Sequence, residues 1–320
     1  MTGLTGLTPP AGLLVVTGTG TGVGKTVVTA AIAALARAAG RHVAVVKPAQ
    51  TGVRDAPQGR VGWTVENSDV PDIDTVTALS GVTDTHELAR FPDPLSPEAA
   101  ARTSGLPPLD VAAAADYVAK LATERDLVIV EGAGGLLVRY DQAGSTLADL
   151  AAMLRAATVV VAAAGLGTLN HTALTCEALS ARGLTCAGVV VGSWPREPGL
   201  AERQNLADLP LAAGAPLVGV LPEGAGALSR EDFLRVAREG LTPLLGGARQ
   251  IGHAALAWCA PWLRPPQPGH APRPRNLRSL HCWRVSCLPL SFSGSRGHPG
   301  NVRHGKPGGA AGGGGGWRRG

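Results

Sequence analysis

Residues 13–39 read LLVVTGTGTGVGKTVVTAAIAALARAA, and this stretch decides the architecture. Leu13-Leu14-Val15-Val16 is a short, wholly apolar run, the pattern of a strand buried on both faces of a parallel sheet. After a glycine-rich turn, Val28, Ala31, Ile32, Leu35 and Ala39 recur at helical spacing, and Gly40 offers a stop. The pattern returns at Val43–Val46, which ends at Lys47-Pro48, and at Leu127–Val130, which ends at Glu131. Further apolar runs follow at residues 158–163, 187–191 and 217–220, with Ala-rich helical stretches at 111–121 and 172–182. Strands alternating with helices predict a doubly wound, mostly parallel α/β sheet flanked by helices. Ligands of such sheets gather at the carboxyl ends of the strands, which singles out Lys47 and Glu131.

Composition agrees with that architecture. The 320 residues are 45% hydrophobic but only 3% aromatic, so the core must be built from Ala, Val and Leu. The net charge of +5 is unevenly placed. Residues 1–246 hold 18 Lys and Arg against 24 Asp and Glu, whereas residues 247–320 hold 11 basic residues and no acidic one. The basic character therefore belongs to the C-terminal stretch and does not point to nucleic acid as the partner of the folded part. Residues 1–246 are expected to form one nucleotide-binding synthetase domain, and 247–320, rich in Pro, Gly and Arg without periodicity, a disordered tail. The five cysteines are too sparse for a disulfide framework, and Cys176 and Cys186 read as buried small hydrophobes. The first residues lack the pattern of a signal peptide, and no run reaches the roughly 18–20 apolar residues of a membrane span, so a cytoplasmic location is expected.

The turn between first strand and first helix, Gly18-Thr19-Gly20-Thr21-Gly22-Val23-Gly24-Lys25-Thr26, has the context of a phosphate loop, and the fold expected is of the P-loop NTPase kind. Its glycines let the backbone approach a phosphate, and the helix amino end favours the anion. Gly20 to Gly24 would cradle the phosphates, Lys25 would reach the β- and γ-phosphates, and the Thr26 hydroxyl would ligate Mg²⁺. Five residues rather than four separate Gly18 from Gly24. A metal held by Thr26 alone would be poorly bound. Glu131, followed by Gly132, Ala133 and Gly134, is the expected carboxylate, and Asp69 a second candidate that also reads as a plain helix entry before Pro71.

Taken together, TGTGTGVGKT at 17–26, VVKPAQTG at 45–52, ENSD at 66–69, VEGAGGLLV at 130–138, GLGTLNHT at 165–172 and GVLP at 219–222 resemble the dethiobiotin synthetase family in order and spacing from about Leu13 to about Leu245. The resemblance implies a Mg²⁺-dependent, nucleoside-triphosphate-driven ring closure in biotin synthesis by a homodimeric ligase. CO₂ or bicarbonate is fixed as a carbamate on 7,8-diaminononanoate, ATP activates it as a carbamic-phosphoric anhydride, and the second amine closes the cyclic urea. Lys47 matches the family lysine that contacts carbamate and γ-phosphate, with Lys25 beside it on the phosphate side. Thr26, Asp69 and Glu131 match the metal-site residues, and Thr51 the hydroxyl near the diamine. The substrate carboxylate would sit on backbone amides of Gly167, Thr168, Leu169 and Asn170 across a dimer interface, a helix start suited to an anion. Ser96-Pro97-Glu98 looks like a capped helix start lining the substrate chamber.

One departure concerns the nucleobase. Many family members carry Asn-Asp where this chain has Gly192-Ser193, so base recognition is expected to differ, with Pro222, Glu223 and Gly224 flanking the base. Partition-type switch ATPases of the ParA/MinD kind share the phosphate-loop fold, but usually carry an extra lysine where Thr19-Gly20 stands. Cobyrinate amidases append a glutaminase domain, which 74 tail residues without an acid could hardly form.

Overall fold

Apolar runs become the strands of one parallel sheet in the computed structural model, which describes residues 12–53 and 70–250. The strands are β1 (Gly12–Gly18), β2 (Val43–Lys47), β3 (Gln50–Thr51), β4 (Thr85–Glu87), β5 (Arg90–Phe91), β6 (Leu127–Gly135), β7 (Ala157–Ala162), β8 (Cys186–Trp194) and β9 (Leu217–Pro222). Seven of them lie in the order β4-β2-β6-β1-β7-β8-β9, and β3 with β5 forms a small parallel pair. Because all seven run the same way, their carboxyl ends share one edge.

The helices are α1 (Lys25–Ala38), α2 (Asp72–Ser80), α3 (Pro97–Ser104), α4 (Val111–Ala122), α5 (Leu147–Leu154), α6 (Thr168–Ser180), α7 (Leu200–Ala213) and α8 (Arg230–Gly240). The two-residue period of β1 decides which of them it touches. Leu14 and Val16 pack with Ile32 of α1, Val76 of α2 and Phe233 of α8. Val15 faces the other way, towards Val118 of α4 and Leu150 of α5. Further along the sheet Val160, Val189 and Val191 pack with Leu179 of α6 and Leu209 of α7. Both faces are therefore covered, and the apolar strands have no solvent side.

Several ends differ from the sequence expectation. β6 does not stop at Glu131 but continues through the glycines to Gly135, which pairs with Gly18 of β1. α6 begins at Thr168, four residues before its apolar spacing becomes legible. α7 carries Pro210 inside it and little amphipathic pattern, so periodicity gave no sign of it. Ser96 does precede α3, but its hydroxyl makes no cap. The first-turn amide of Glu98 instead donates to the Arg139 carbonyl at 3.1 Å. No helix among the described residues is long and apolar enough to cross a membrane.

Candidate functional site

The glycine loop is seated directly on the sheet. Gly22 and Gly24 adopt φ of 75° and 94°, a left-handed region that glycine enters without strain. A Cβ on Gly24 would lie 2.6 Å from the Gly192 carbonyl oxygen, and one on Gly192 would lie 2.2 Å from that of Val23. Gly192 thus serves as the floor under the loop, a role in which no side chain fits. Thr19 N–H donates to the Val161 carbonyl at 2.9 Å, fixing the other end of the turn. Lys25 folds back over the loop and donates to the Gly20 carbonyl at 2.9 Å. Burial, then the nearby charge of Lys47, lowers its pKa to about 8.

Beside the loop lies a buried charge cluster. Val46 of β2 stands opposite Val130 of β6, so the next residues, Lys47 and Glu131, emerge side by side where β2 ends. Lys47 is 3% exposed and Glu131 1%. Lys47 Nζ donates to Glu131 Oε1 at 2.9 Å and to the Gly132 carbonyl at 3.2 Å, and it also pairs with Asp72 Oδ2. Glu131 Oε1 accepts a second bond, 2.8 Å, from the Thr26 hydroxyl on the first turn of α1. Burial alone would depress the Lys47 pKa, but the two carboxylates overrule it and hold the ammonium above its ordinary range. Burial likewise opposes ionisation of Asp72, yet Lys47 and a hydrogen bond with Thr26 keep its carboxyl below the usual value.

Asp72 is the site residue that sequence reasoning missed. Asp69 lies outside the described residues, and the carboxylate that meets Lys47 and Thr26 is three positions later, in the first turn of α2. Its placement depends on Gln50, which is 6% exposed. Pro71 occupies the N-cap of α2 and has no side-chain oxygen to offer, and Gln50 Oε1 instead accepts from the Asp72 amide at 3.0 Å. An Asp directly after Pro in a helix's first turn was the available signal, but it is also the ordinary composition of a helix start.

The other predicted residues fall as follows. Thr51 is half-buried in β3, four residues beyond Lys47, where its neighbour Gly52 donates to the Phe91 carbonyl at 3.1 Å. Gly132 leaves no room for a Cβ, which would meet Leu147 at 2.3 Å, and Gly134 turns with φ 70° close to Thr21. The Ala133 amide donates to the buried Tyr140 hydroxyl at 3.3 Å. Gly167, with φ 87°, caps α6, followed by Thr168, whose hydroxyl donates to the Ala163 carbonyl at 2.7 Å, then half-buried Leu169 and exposed Asn170. Ser193 is exposed at the end of β8. Glu223, exposed with Pro222 and Gly224, donates its amide to the Trp194 carbonyl at 2.7 Å. Among the described residues no three His, Cys, Asp or Glu side chains converge as a metal cluster. The set is instead two carboxylates and a hydroxyl, all oxygen, which suits a hard cation that takes its remaining ligands from phosphate and water.

Residues 13–227 match the profile described as an AAA domain. The chain is 62% identical over 234 residues to the ATP-dependent dethiobiotin synthetase BioD of Frankia casuarinae, covering 73% of this chain and 93% of that relative. It is 57% identical over 235 residues to the protein of the same name from Streptomyces avermitilis, covering 73% and 94%. Among solved structures it resembles the septum site-determining protein MinD from Pyrococcus horikoshii at 19% identity and a TM-score of 0.44, covering 78% of this chain and 93% of that one. A likeness at that level separates no function. With more than half of the aligned residues identical, over nearly the full length of those synthetases, the chain belongs to the dethiobiotin synthetase family.

Proposed function

We propose that this protein carries out ATP-dependent closure of 7,8-diaminononanoate and CO₂ to the cyclic urea dethiobiotin, as a cytoplasmic homodimer. The single observation carrying the reading is Lys47, a buried ammonium set between two carboxylates beside the phosphate loop. A cation is needed there because two anions, a carbamate and a transferring phosphoryl group, must meet against their repulsion. The loop amides and Lys25 hold the triphosphate. Thr26, Asp72 and Glu131 would hold Mg²⁺, which when bound neutralises charge on the β- and γ-phosphate oxygens.

The reaction balances as follows. One substrate amine adds to CO₂, giving a carbamate and a proton. A carbamate oxygen attacks the γ-phosphorus and ADP departs. The second amine then attacks the carbamoyl carbon, phosphate leaves with its electron pair, and loss of a proton gives the urea. Lys47, released from Asp72 by the incoming anions, would sit on the carbamate and γ-phosphoryl oxygens, and the Thr51 hydroxyl would orient the diamine. The substrate carboxylate would rest on the amides at the start of α6, residues 167–170, of a second copy.

The test is incubation of the full chain with the diamine, carbon-13 bicarbonate, Mg²⁺ and ATP or another nucleoside triphosphate. Label should appear in the cyclic urea, and phosphate release should require the diamine. Equal phosphate release without diamine, and no labelled urea, would sink the reading.

A further inference from the structure

Two cysteines far from the phosphate loop meet across a helix and a strand. The Sγ atoms of Cys176, in α6, and Cys186, the first residue of β8, lie 3.9 Å apart. Both are free thiols. The chain brings them together by a tight reversal: α6 closes with Leu184 N–H donating to the Leu179 carbonyl at 3.0 Å, and Gly183 supplies the left-handed turn at φ 68°. β8 then starts with an irregularity. Thr158 of β7 faces Cys186 and Val159 faces Gly188, so Ala187 is an extra residue in the ladder. Such a bulge re-aims the side chains beside it. Cys176 is packed in the core, whereas Cys186 is half-buried, so the expectation of two buried small hydrophobes holds for the position of the first alone.

We infer that Cys176 and Cys186 form a reversible intramolecular disulfide when the protein meets a small peroxide. A disulfide needs the sulfurs about 2.05 Å apart, so from 3.9 Å they must close by about 1.9 Å. Their hydrogen bond lowers the Cys176 pKa, which favours its thiolate, while that bond and burial raise Cys186. One thiolate attacks the peroxide, breaking the O–O bond to give a sulfenic acid and hydroxide. The Cys186 sulfur then attacks the sulfenic sulfur, and its thiol proton leaves with the displaced hydroxide as water. In sum, two thiols and one hydrogen peroxide give one disulfide and two waters. The bond would staple the last turns of α6 to the sheet.

The experiment treats the full chain with one equivalent of hydrogen peroxide, blocks remaining thiols with N-ethylmaleimide, and maps unreduced tryptic peptides. Cleavage after Arg155, Arg182 and Arg196 separates the two cysteines. The expected result is peptide 156–182 joined to 183–196, lost on treatment with dithiothreitol, with slower amide exchange in α6 of the oxidised protein. Both peptides carrying maleimide after treatment, or each cysteine separately oxidised to sulfinic acid, would overturn the inference. Cys186→Ser supplies a second check: Cys176 should then remain unlinked, and a disulfide from Cys176 to any other cysteine at the wild-type yield would also refute the pairing.

Discussion

Replacing Lys47 with methionine keeps the aliphatic stem and removes the charge, leaving a carboxylate stranded. In the wild type the Lys47 side chain is 4% exposed and that of Glu131 1%. Water therefore cannot take over when the ammonium goes, and Glu131 is left with the Thr26 hydroxyl at 2.8 Å. Breaking a buried pair from one side costs about 3–5 kcal/mol. Asp72 adds little, because its side chain is 32% exposed and can be hydrated. Glu131→Gln should cost less, about 1–2 kcal/mol, since Lys47 keeps Asp72 and the Gly132 carbonyl. The double variant removes the charge and its partner together, so it should be about 2 kcal/mol more stable than the sum of the single effects. At roughly 2–4 °C per kcal/mol for a domain of this size, Lys47→Met should lower Tm by about 10 °C, and the second change should recover about 1–2 °C of that instead of lowering it further. Urea and thermal unfolding of nucleotide-free protein near neutral pH measure the cycle. Additivity within about 0.5 kcal/mol would refute the idea that these two charges depend on each other. All three variants should lose turnover by about 100-fold or more, so recovered stability without recovered activity separates packing from chemistry.

Lys25 should behave in the opposite sense. Its folded pKa of about 8 lies below its ordinary 10.5, so the unfolded chain binds more protons between those values and the buried cation costs stability below about pH 8, a cost relieved as pH rises towards 10.5. Lys25→Met should stabilise nucleotide-free protein by about 1–3 kcal/mol near neutral pH while abolishing nucleotide binding by calorimetry; a loss of stability would contradict this sign. Gly192→Ala would drive a Cβ to within 2.2 Å of the Val23 carbonyl oxygen, so nucleotide affinity should fall by about tenfold or more and stability by about 1–3 kcal/mol, and an unchanged Kd would show that the loop does not rest on β8. Gln50→Leu leaves the Asp72 amide without its acceptor, at a cost of about 1–3 kcal/mol, and should lower kcat more than nucleotide affinity, as steady-state kinetics beside binding would show. Truncation after Gln250 should leave urea formation within about twofold of the full chain, and its loss would place function in the basic stretch beyond.

The sequence by itself settled the parallel sheet and the phosphate loop, because both are local in their physics. A strand covered on both faces must be apolar throughout, as Leu14 to Val16 and Leu127 to Val130 are, and a loop that wraps a phosphate must carry glycines before a helix start. Lys47 was legible as a residue at a strand end, whereas Glu131 lies inside β6, which runs on to Gly135. That they touch was decided by β2 lying beside β6 in the register of Val46 with Val130, a pairing between segments 84 residues apart. Asp72 and Gln50 were beyond sequence reasoning for a related cause: a helix start resembles any other until a distant amide oxygen fixes which carboxylate faces the lysine. The same holds for α7, whose weak pattern and internal Pro210 are overridden by packing of Leu209 into the core, and for Cys176 and Cys186, which only the turn at Gly183 brings within 3.9 Å. Local pattern selects the elements because burial and backbone geometry act within a few residues. The charge cluster needs side chains from four separated segments, and only the folded chain brings them within hydrogen-bonding distance.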